Sequence, residues 1–279
     1  MLTEHAPAKL NLALHVRRRR ADGYHDIDTL FAFATDGDVL HAEVADATGL
    51  RIVGPFADGL DTGSGNLVLR AAAAFEAALG LPVGMSFTLD KRLPVASGIG
   101  GGSADAAATL RLLARHHAIA LDDTRLLACA EGLGADVPVC LAGRPAIGSG
   151  KGETLVPAEL GALAGTPMLL VNPGVALSTP EVFAEWDGVD RGPLPEGDAL
   201  AIAMGGPNDL TDPAIRLAPE IANILDALGR CDGVRLARMS GSGATCFALF
   251  DDASMRDAAA DIMASIFSKA WIARTELAA

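Results

Sequence analysis

The fold of this chain is decided by the stretch Pro94-Val95-Ala96-Ser97-Gly98-Ile99-Gly100-Gly101-Gly102-Ser103-Ala104-Asp105-Ala106-Ala107, in which four of five successive residues are glycine. Glycine reaches positive φ angles and lets the backbone approach a ligand without a clash at Cβ. The stretch follows a predicted strand over 85–89 and leads into a predicted helix that begins near Ser103. Backbone amides that point inward at a helix N-terminus favour an anion. The stretch therefore predicts a phosphate-binding loop.

Other kinds of glycine-rich loop compete with this interpretation. A Walker A loop requires a lysine directly after the glycines, and none follows here. A dinucleotide fingerprint is nearly present from Gly98, but position 103 is serine and no N-terminal βαβ unit precedes it. A turn without a ligand remains open, although four glycines carry an entropic cost that a simple turn does not need.

A second glycine-rich segment, Met239-Ser240-Gly241-Ser242-Gly243-Ala244-Thr245, lies between two predicted strands. Considered alone, it is as consistent with a hairpin turn as with a binding site. Considered with the first loop, it predicts a second wall of one cleft, with Gly241 and Ser242 as candidate ligand contacts.

The chain of 279 residues is long enough for two domains, each with its own core. The sequence becomes rich in Gly and Pro from about Gly148, which places the predicted domains at 1–150 and 151–279. The first contains short, mostly antiparallel strands followed by helices, and the second is another α+β unit. Strands separated by Asp-Gly and Gly-Pro pairs are predicted over 9–16, 27–34, 39–44 and 50–53. One helix is predicted to begin after Asn66 and end near Gly80, and another to begin after Asp122 or Asp123.

The net charge of −13 argues against a surface that binds nucleic acid. A short basic run, Arg17 to Arg20, adjoins a turn signal and is interpreted as a solvated strand end. No apolar run approaches the roughly 20 residues of a membrane span. The N-terminus lacks a secretory pattern and the four cysteines are widely spaced, so we expect a cytoplasmic protein with reduced thiols.

The first loop resembles the glycine-rich motif of the GHMP kinases. Three more segments resemble one branch of that superfamily: Pro7 to Leu12, Arg20 to His25 and Gly132 to Pro138. Ile99 and Ala104 replace the commoner Leu and Ser, which are conservative changes in a loop that binds through its backbone. The resemblance implies an α+β, two-domain GHMP kinase fold with the active site in the cleft between the domains. The N-terminal domain would be ribosomal protein S5 domain 2-like and the C-terminal domain ferredoxin-like.

The resemblance also implies the reaction. In the branch concerned, the γ-phosphate of ATP passes to the 2-hydroxyl of a cytidyl diphosphate ester of methylerythritol, in the non-mevalonate route to isoprenoid precursors. Asp136 matches the catalytic aspartate, which accepts the proton of the alcohol. Lys9 matches the catalytic lysine, whose charge can keep Asp136 ionised and stabilise the transferred group.

The remaining site residues follow from the same resemblance. Tyr24 and Phe183 match an aromatic pair that sandwiches the base, while Asn11 and His25 match polar groups that hold the cytidine. ATP contacts are expected from Asn66 near the adenine and from the loop, at Pro94, Gly98, Ile99, Gly100, Gly101, Gly102 and Ser103. Mg²⁺ is expected to bridge the phosphates, with no protein ligand assigned. The partner is a small molecule, and the chain is expected to be a monomer or a homodimer.

Three rival interpretations remain open at this point. A GHMP kinase with another acceptor, such as homoserine or mevalonate, would share the loop but should lack Asp22-Gly23-Tyr24-His25. A non-catalytic nucleotide-binding module would keep the loop and lose the base and the lysine. A dinucleotide-dependent oxidoreductase would bind NAD and not ATP.

Overall fold

A computed structural model describes all 279 residues. The strands are β1 (Leu2–Arg19), β2 (His25–Val44), β3 (Gly49–Val53), β4 (Met85–Asp90), β5 (Ala146–Ser149), β6 (Thr154–Pro157), β7 (Pro167–Asn172), β8 (Val234–Met239), β9 (Cys246–Phe250) and β10 (Trp271–Glu276). The α-helices are α1 (Leu67–Leu79), α2 (Gly101–His116), α3 (Thr124–Leu133), α4 (Val137–Ala142), α5 (Thr179–Ala184), α6 (Ala199–Gly205), α7 (Thr211–Leu217), α8 (Glu220–Gly229) and α9 (Ala253–Ile266). None of the helices has the length and apolar character that a membrane crossing requires.

The chain divides into two compact units that are discontinuous in sequence. The first comprises Met1–Ala8, Gly37–Val95 and Gly100–Gly143, and the second comprises Lys9–Asp36, Ala96–Ile99 and Arg144–Ala279. Strands β1 and β2 and the glycine loop therefore supply residues to both units. The division of the chain into two family domains at residue 150 stays a prediction.

The first unit packs four helices beside a small group of strands. Strand β3 runs parallel to β4, and β4 pairs antiparallel with residues 39–44 of β2. Its largest fully buried side chains include Phe75 of α1, Phe87 of β4 and Met85. Burial of each such side chain favours folding by roughly 1.5–3 kcal/mol. This core holds α2, the helix that follows the glycine loop.

The second unit contains a four-stranded antiparallel sheet in the order β10-β7-β9-β8. Helix α8 precedes β8, and α9 lies between β9 and β10 in the chain. This βαββαβ order confirms the ferredoxin-like expectation. Leu169 and Val171 of β7 pack in one cluster with Phe250 and Met263. Residues 29–31 of β2 also pair antiparallel with β5 in this unit.

The predicted break between two strands over residues 35–38 is wrong, because β2 continues through it. Asp36-Gly37 was interpreted as a turn, yet Gly37 lies within the strand. A Cβ at Gly37 would lie 2.1 Å from the carbonyl oxygen of Ala6. Glycine is present there because another stretch of backbone approaches closely, and not because the chain turns.

The predicted helix boundaries are confirmed where capping chemistry defines them. Asn66 caps α1 by accepting a hydrogen bond from the amide of Val68, and Gly80 ends the helix in the left-handed region. Asp123 caps α3 through the amide of Arg125. Helices α5, α6 and α7 were not predicted, since each has only six or seven residues and shows little periodicity.

Candidate active site

The glycine loop ends at the N-terminus of α2. Gly100 occupies the N-cap position with φ of 65°, and the helix begins at Gly101 instead of near Ser103. Gly101, Gly102 and Ser103 thus form its first turn and are partly exposed. The free amides of that turn and the helix dipole provide an electropositive end on a 16-residue helix. The local structure suits a phosphate group.

The two glycine-rich segments contact each other directly within the second unit. Gly98 has φ of 76°, and a Cβ there would lie 2.5 Å from the carbonyl oxygen of Ser240. The Ser240 hydroxyl donates to the carbonyl oxygen of Gly98 at 3.0 Å. The amide of Thr245 donates to the carbonyl oxygen of Ser97 at 3.0 Å. The second segment is therefore the structural support of the first, and not only a hairpin turn.

A buried charge cluster lies beside the start of α2 in the first unit. Lys91 donates to Asp38 at 2.5 Å and to Asp105 at 2.6 Å, and all three side chains are almost fully buried. Asp38 also accepts the amides of Arg92 and Leu93. A Cβ on Gly101 would lie 3.1 Å from Lys91 Nζ. The cluster therefore ties the start of the helix to β2 and to the end of β4.

Asp105 has a raised pKa in this cluster. Burial is the largest influence on its carboxyl and, with the nearby Asp38 carboxylate, raises its pKa to about 7 despite the opposing effect of Lys91. One of its oxygens, Oδ1, is buried without a hydrogen-bond partner. Asp105 lies beyond the first turn of α2, within the cluster, and so does not act as a capping acid.

The predicted catalytic lysine is held by a series of hydrogen bonds between side chains of β1 and β2. Lys9 is buried, and its Nζ donates to Asn11 Oδ1 at 3.0 Å. Asn11 Nδ2 donates to the Thr29 hydroxyl at 2.8 Å, and this hydroxyl donates to the carbonyl oxygen of Ala13. Lys9 Nζ also lies 5.3 Å from the centre of the Phe31 ring. Asn11 therefore orients Lys9, which is a role that the sequence did not suggest.

The predicted base-binding residues form an aromatic group in the second unit. The rings of His25 and Phe183 stack with centroids 4.7 Å apart, and Trp186 meets His25 edge-on at 5.7 Å. Burial, followed by the charge of Arg19, lowers the pKa of His25. Tyr24 is 55% exposed, and Lys151 Nζ lies 4.9 Å from its ring centre. The structure thus brings His25 and Phe183 together and leaves the Tyr24 ring accessible.

The other predicted residues occupy defined places. Asp136 is half-buried at the N-cap position of α4, where its carboxylate makes no capping hydrogen bond. Asn66 uses its amide on its own helix cap and on the carbonyl oxygen of Asp61. Ser242 shares a hydrogen bond with the Thr179 hydroxyl at 2.9 Å, next to a buried Gly241. Pro94 at the start of the loop and Ile99 between two of its glycines are buried.

Sequence reasoning missed several residues that support these groups. Trp186 was not predicted, because it lies just beyond the end of α5 and outside any periodic pattern. Lys91 was not predicted either, because a lysine at a strand end is usually solvated. No group of three or more His, Cys, Asp or Glu residues is arranged to hold a metal ion.

Comparison with known proteins agrees with this geometry. Residues 66–144 match the family described as GHMP kinases N terminal domain, and residues 196–269 match GHMP kinases C terminal. The class that the fold and the loop define is therefore a GHMP kinase, a phosphotransferase with ATP as substrate and an alcohol as acceptor.

Individual relatives narrow the class. The chain is 56% identical to 4-diphosphocytidyl-2-C-methyl-D-erythritol kinase from Rhizorhabdus wittichii, over 92% of this chain and 88% of that one. It is 51% identical to the kinase of the same name from Sphingopyxis alaskensis, over 95% and 94%. A crystal structure of 4-(cytidine 5'-diphospho)-2C-methyl-D-erythritol kinase superposes with a TM-score of 0.80 at 37% identity, covering 99% of both chains. The chain belongs to the 4-diphosphocytidyl-2-C-methyl-D-erythritol kinase family.

Proposed function

We propose that the chain transfers the γ-phosphate of ATP to the 2-hydroxyl of 4-diphosphocytidyl-2-C-methyl-D-erythritol, giving its 2-phosphate and ADP. The observation that carries this proposal is the stack of His25 on Phe183, together with the exposed Tyr24 that precedes His25 in the chain. Relatives at 51–56% identity bear a name that includes a cytidyl group. Aromatic faces bind a nucleobase, and a histidine edge supplies a hydrogen bond to it.

Asp136 is the proposed general base. A neutral alcohol is a weak nucleophile, so a carboxylate that accepts its proton as the new bond forms speeds the transfer. Asp136 is half-buried and its carboxylate is not used to cap α4. The membership of the chain in a kinase family at 51–56% identity supports this role.

Lys9 is the proposed cation that stabilises charge on the transferred phosphoryl group. Asn11 and Thr29 fix its position, and its burial removes competing water. A preorganised charge of this kind favours the transition state because no reorganisation is needed during the reaction. Phosphoryl transfer depends mainly on such positioning and electrostatic effects.

The proposed nucleotide site uses the loop from Pro94 to Ser103 for the phosphates and Asn66 for the adenine side. Mg²⁺ is proposed as the companion of ATP, because it usually takes most of its ligands from phosphates and water. The first turn of α2 offers amides and a hydroxyl, which suits phosphates that already carry the ion. Gly241 and Ser242 are proposed to line the acceptor side.

The proposal extends to the surroundings of the enzyme. A small-molecule partner, without nucleic acid or membrane, agrees with the net charge of −13. Four buried free cysteines suit a reducing compartment, so we propose a cytoplasmic location. A monomer or homodimer is proposed for the assembly.

ADP release from the purified protein with Mg-ATP tests the proposed acceptor. The assay compares 4-diphosphocytidyl-2-C-methyl-D-erythritol with homoserine, mevalonate and galactose at equal concentrations. Turnover confined to the cytidyl compound is expected. Turnover with another acceptor would leave the phosphate loop in place and refute the assignment of Tyr24, His25 and Phe183.

A further inference from the structure

The basic run Arg17 to Arg20 does not behave as a uniform charged patch. Three of its members pair with carboxylates: Arg17 with Asp28 and Asp190, Arg18 with Asp26, and Arg20 with Asp22 and Asp26. Arg19 instead donates from Nε to Nε2 of His25, with 3.3 Å between the nitrogens. One arginine of the run is therefore directed at the group proposed to bind the base.

This contact determines where the proton of His25 lies. A guanidinium is always protonated and can only donate, so Nε2 of His25 must accept with its lone pair. A neutral imidazole with an acceptor at Nε2 carries its hydrogen on Nδ1. A second proton on Nε2 would place two N–H groups against each other. Arg19 thus selects the neutral ring and one of its two tautomers.

The surroundings of His25 act in the same direction. The ring stacks on Phe183 and meets the edge of Trp186, so charging it would place an imidazolium among aromatic side chains with little access to water. Burial and the charge of Arg19 both lower its pKa. Phe183 and Trp186 also fix the plane of the ring and therefore the direction of its remaining N–H.

The neighbouring charged groups either contact other residues or are exposed to water. On the strand side, Asp26 is taken by Arg18 and Arg20. On the side of α5, Glu181 is exposed and Glu185 pairs with Arg216. Lys151 lies over the Tyr24 ring. Arg19 is accordingly the charge that acts on His25.

We propose that Arg19 is a positioning residue for the acceptor, one that holds His25 uncharged with its hydrogen on Nδ1. The ring then presents a fixed N–H donor, which matches an acceptor atom on the edge of a cytosine. This inference rests on the proposed function for its ligand, but the contact itself is a property of the free protein.

Histidine NMR of the free protein tests the contact. Imidazole ¹⁵N shifts of wild type, Arg19→Met and Arg18→Met are followed from pH 5 to 8, with His25→Gln identifying the signal. Arg18→Met is the matched control, because it removes an adjacent arginine of the same strand that pairs with Asp26. We expect the wild-type ring to be the Nδ1–H tautomer with a pKa below the ordinary value of about 6.5. Arg19→Met should raise that pKa and mix the tautomers, whereas Arg18→Met should leave both unchanged.

Binding of cytidine diphosphate, measured by calorimetry at pH 8 and pH 6, tests the consequence. Each unit by which the variant raises the pKa of His25 costs up to about tenfold in the neutral fraction below that pKa. Arg19→Met should therefore lose more affinity than wild type between pH 8 and pH 6. The inference would be overturned if Arg19→Met left the ¹⁵N signals of His25 unchanged. It would also be overturned if the variant bound more weakly than wild type by the same factor at pH 8 and at pH 6. A wild type that shows the tautomer but binds no cytidine diphosphate would refute the proposed function and leave the contact established.

Discussion

Asp136 is the residue on which the proposed chemistry depends most. Replacement of Asp136 by Asn keeps its size and its place before α4 but removes the basic carboxylate. We expect kcat to fall by about 10²–10⁴-fold, the usual contribution of a general base, while the affinity for ATP changes little. ADP release and nucleotide calorimetry measure the two quantities separately. A variant with normal kcat would show that Asp136 is only a helix-terminal residue.

Asp105 gives a prediction about stability and pH. Burial raises its pKa to about 7 in the folded protein from an ordinary value of 3.8. Between those values the folded state holds a proton that the unfolded state has lost, so the free energy of unfolding falls as the pH rises. The fall amounts to at most about 1.4 kcal/mol per pH unit, and it ends above the folded pKa.

Asp105→Asn does not titrate and should lack this dependence. Urea unfolding of wild type and variant at pH 5, 6, 7 and 8 measures it, and the difference between the two proteins should level off above about pH 7. Asp61→Asn, at an exposed position of the same unit, is the control. A constant difference across the whole range would mean that Asp105 is ionised throughout.

At the scale of elements, two glycines allow the effect of the contact between the glycine-rich segments on stability to be distinguished from the effect of a left-handed backbone. Gly98 and Gly59 both have φ of 76°, but a Cβ at Gly59 would meet nothing within 4 Å. Alanine at either position incurs a left-handed penalty of about 1–2 kcal/mol. Only at Gly98 does the new Cβ also collide with the carbonyl oxygens of Ser240 and Gly243.

Gly98→Ala should therefore lower the unfolding free energy more than Gly59→Ala and should reduce turnover, whereas Gly59→Ala should leave turnover unchanged. Urea unfolding and ADP release provide the two measurements. Equal losses of stability, with activity retained in both variants, would show that the segments do not need their close approach.

Elements were predictable where a local signal defines them. Asn66, Gly80 and Asp123 mark helix ends through their own capping bonds. The sequence identified Asn66 and Gly80, and it gave Asp123 as one of two candidates with Asp122. The interior of β2 was not predictable, because Gly37 is required by a neighbouring backbone that is distant in the chain. The short helices α5 to α7 offered too few residues for a periodic pattern.

The residues of the candidate site also differ in whether the sequence alone could identify them. The loop from Pro94 to Ser103 and the segment around His25 were found from motifs in the sequence. Lys91 and Arg19 were not found from the sequence, because their importance comes from partners that only the fold brings close. Lys91 contacts Asp105, and Arg19 contacts the His25 ring. A cation has no local signal that distinguishes a buried contact from a solvated one.

At the scale of the whole molecule, the second unit depends on the segment Lys9–Asp36. Leu14, Val16 and Ile27 belong to the same hydrophobic cluster as the four-stranded sheet. The amide of Val16 also donates to Asp209 at 2.9 Å. A fragment of residues 151–279 lacks these contacts and should unfold without cooperativity, or at a markedly lower temperature than the full chain. Circular dichroism melting measures this, and a fragment with the melting temperature of the full chain would support folding domains divided at residue 150.

The central claim is that the chain phosphorylates the tertiary hydroxyl of a cytidyl diphosphate alcohol. The most direct test is ³¹P NMR of the product formed from Mg-ATP and 4-diphosphocytidyl-2-C-methyl-D-erythritol by the wild-type protein, with Asp136→Asn as the blank. A tertiary carbon carries no hydrogen, so the new phosphate monoester should give a signal without coupling to a carbinol proton. That signal, in wild type only, is the result we predict. A proton-coupled phosphate signal would place the transfer on another hydroxyl, and the absence of a new phosphate ester would contradict the kinase assignment itself.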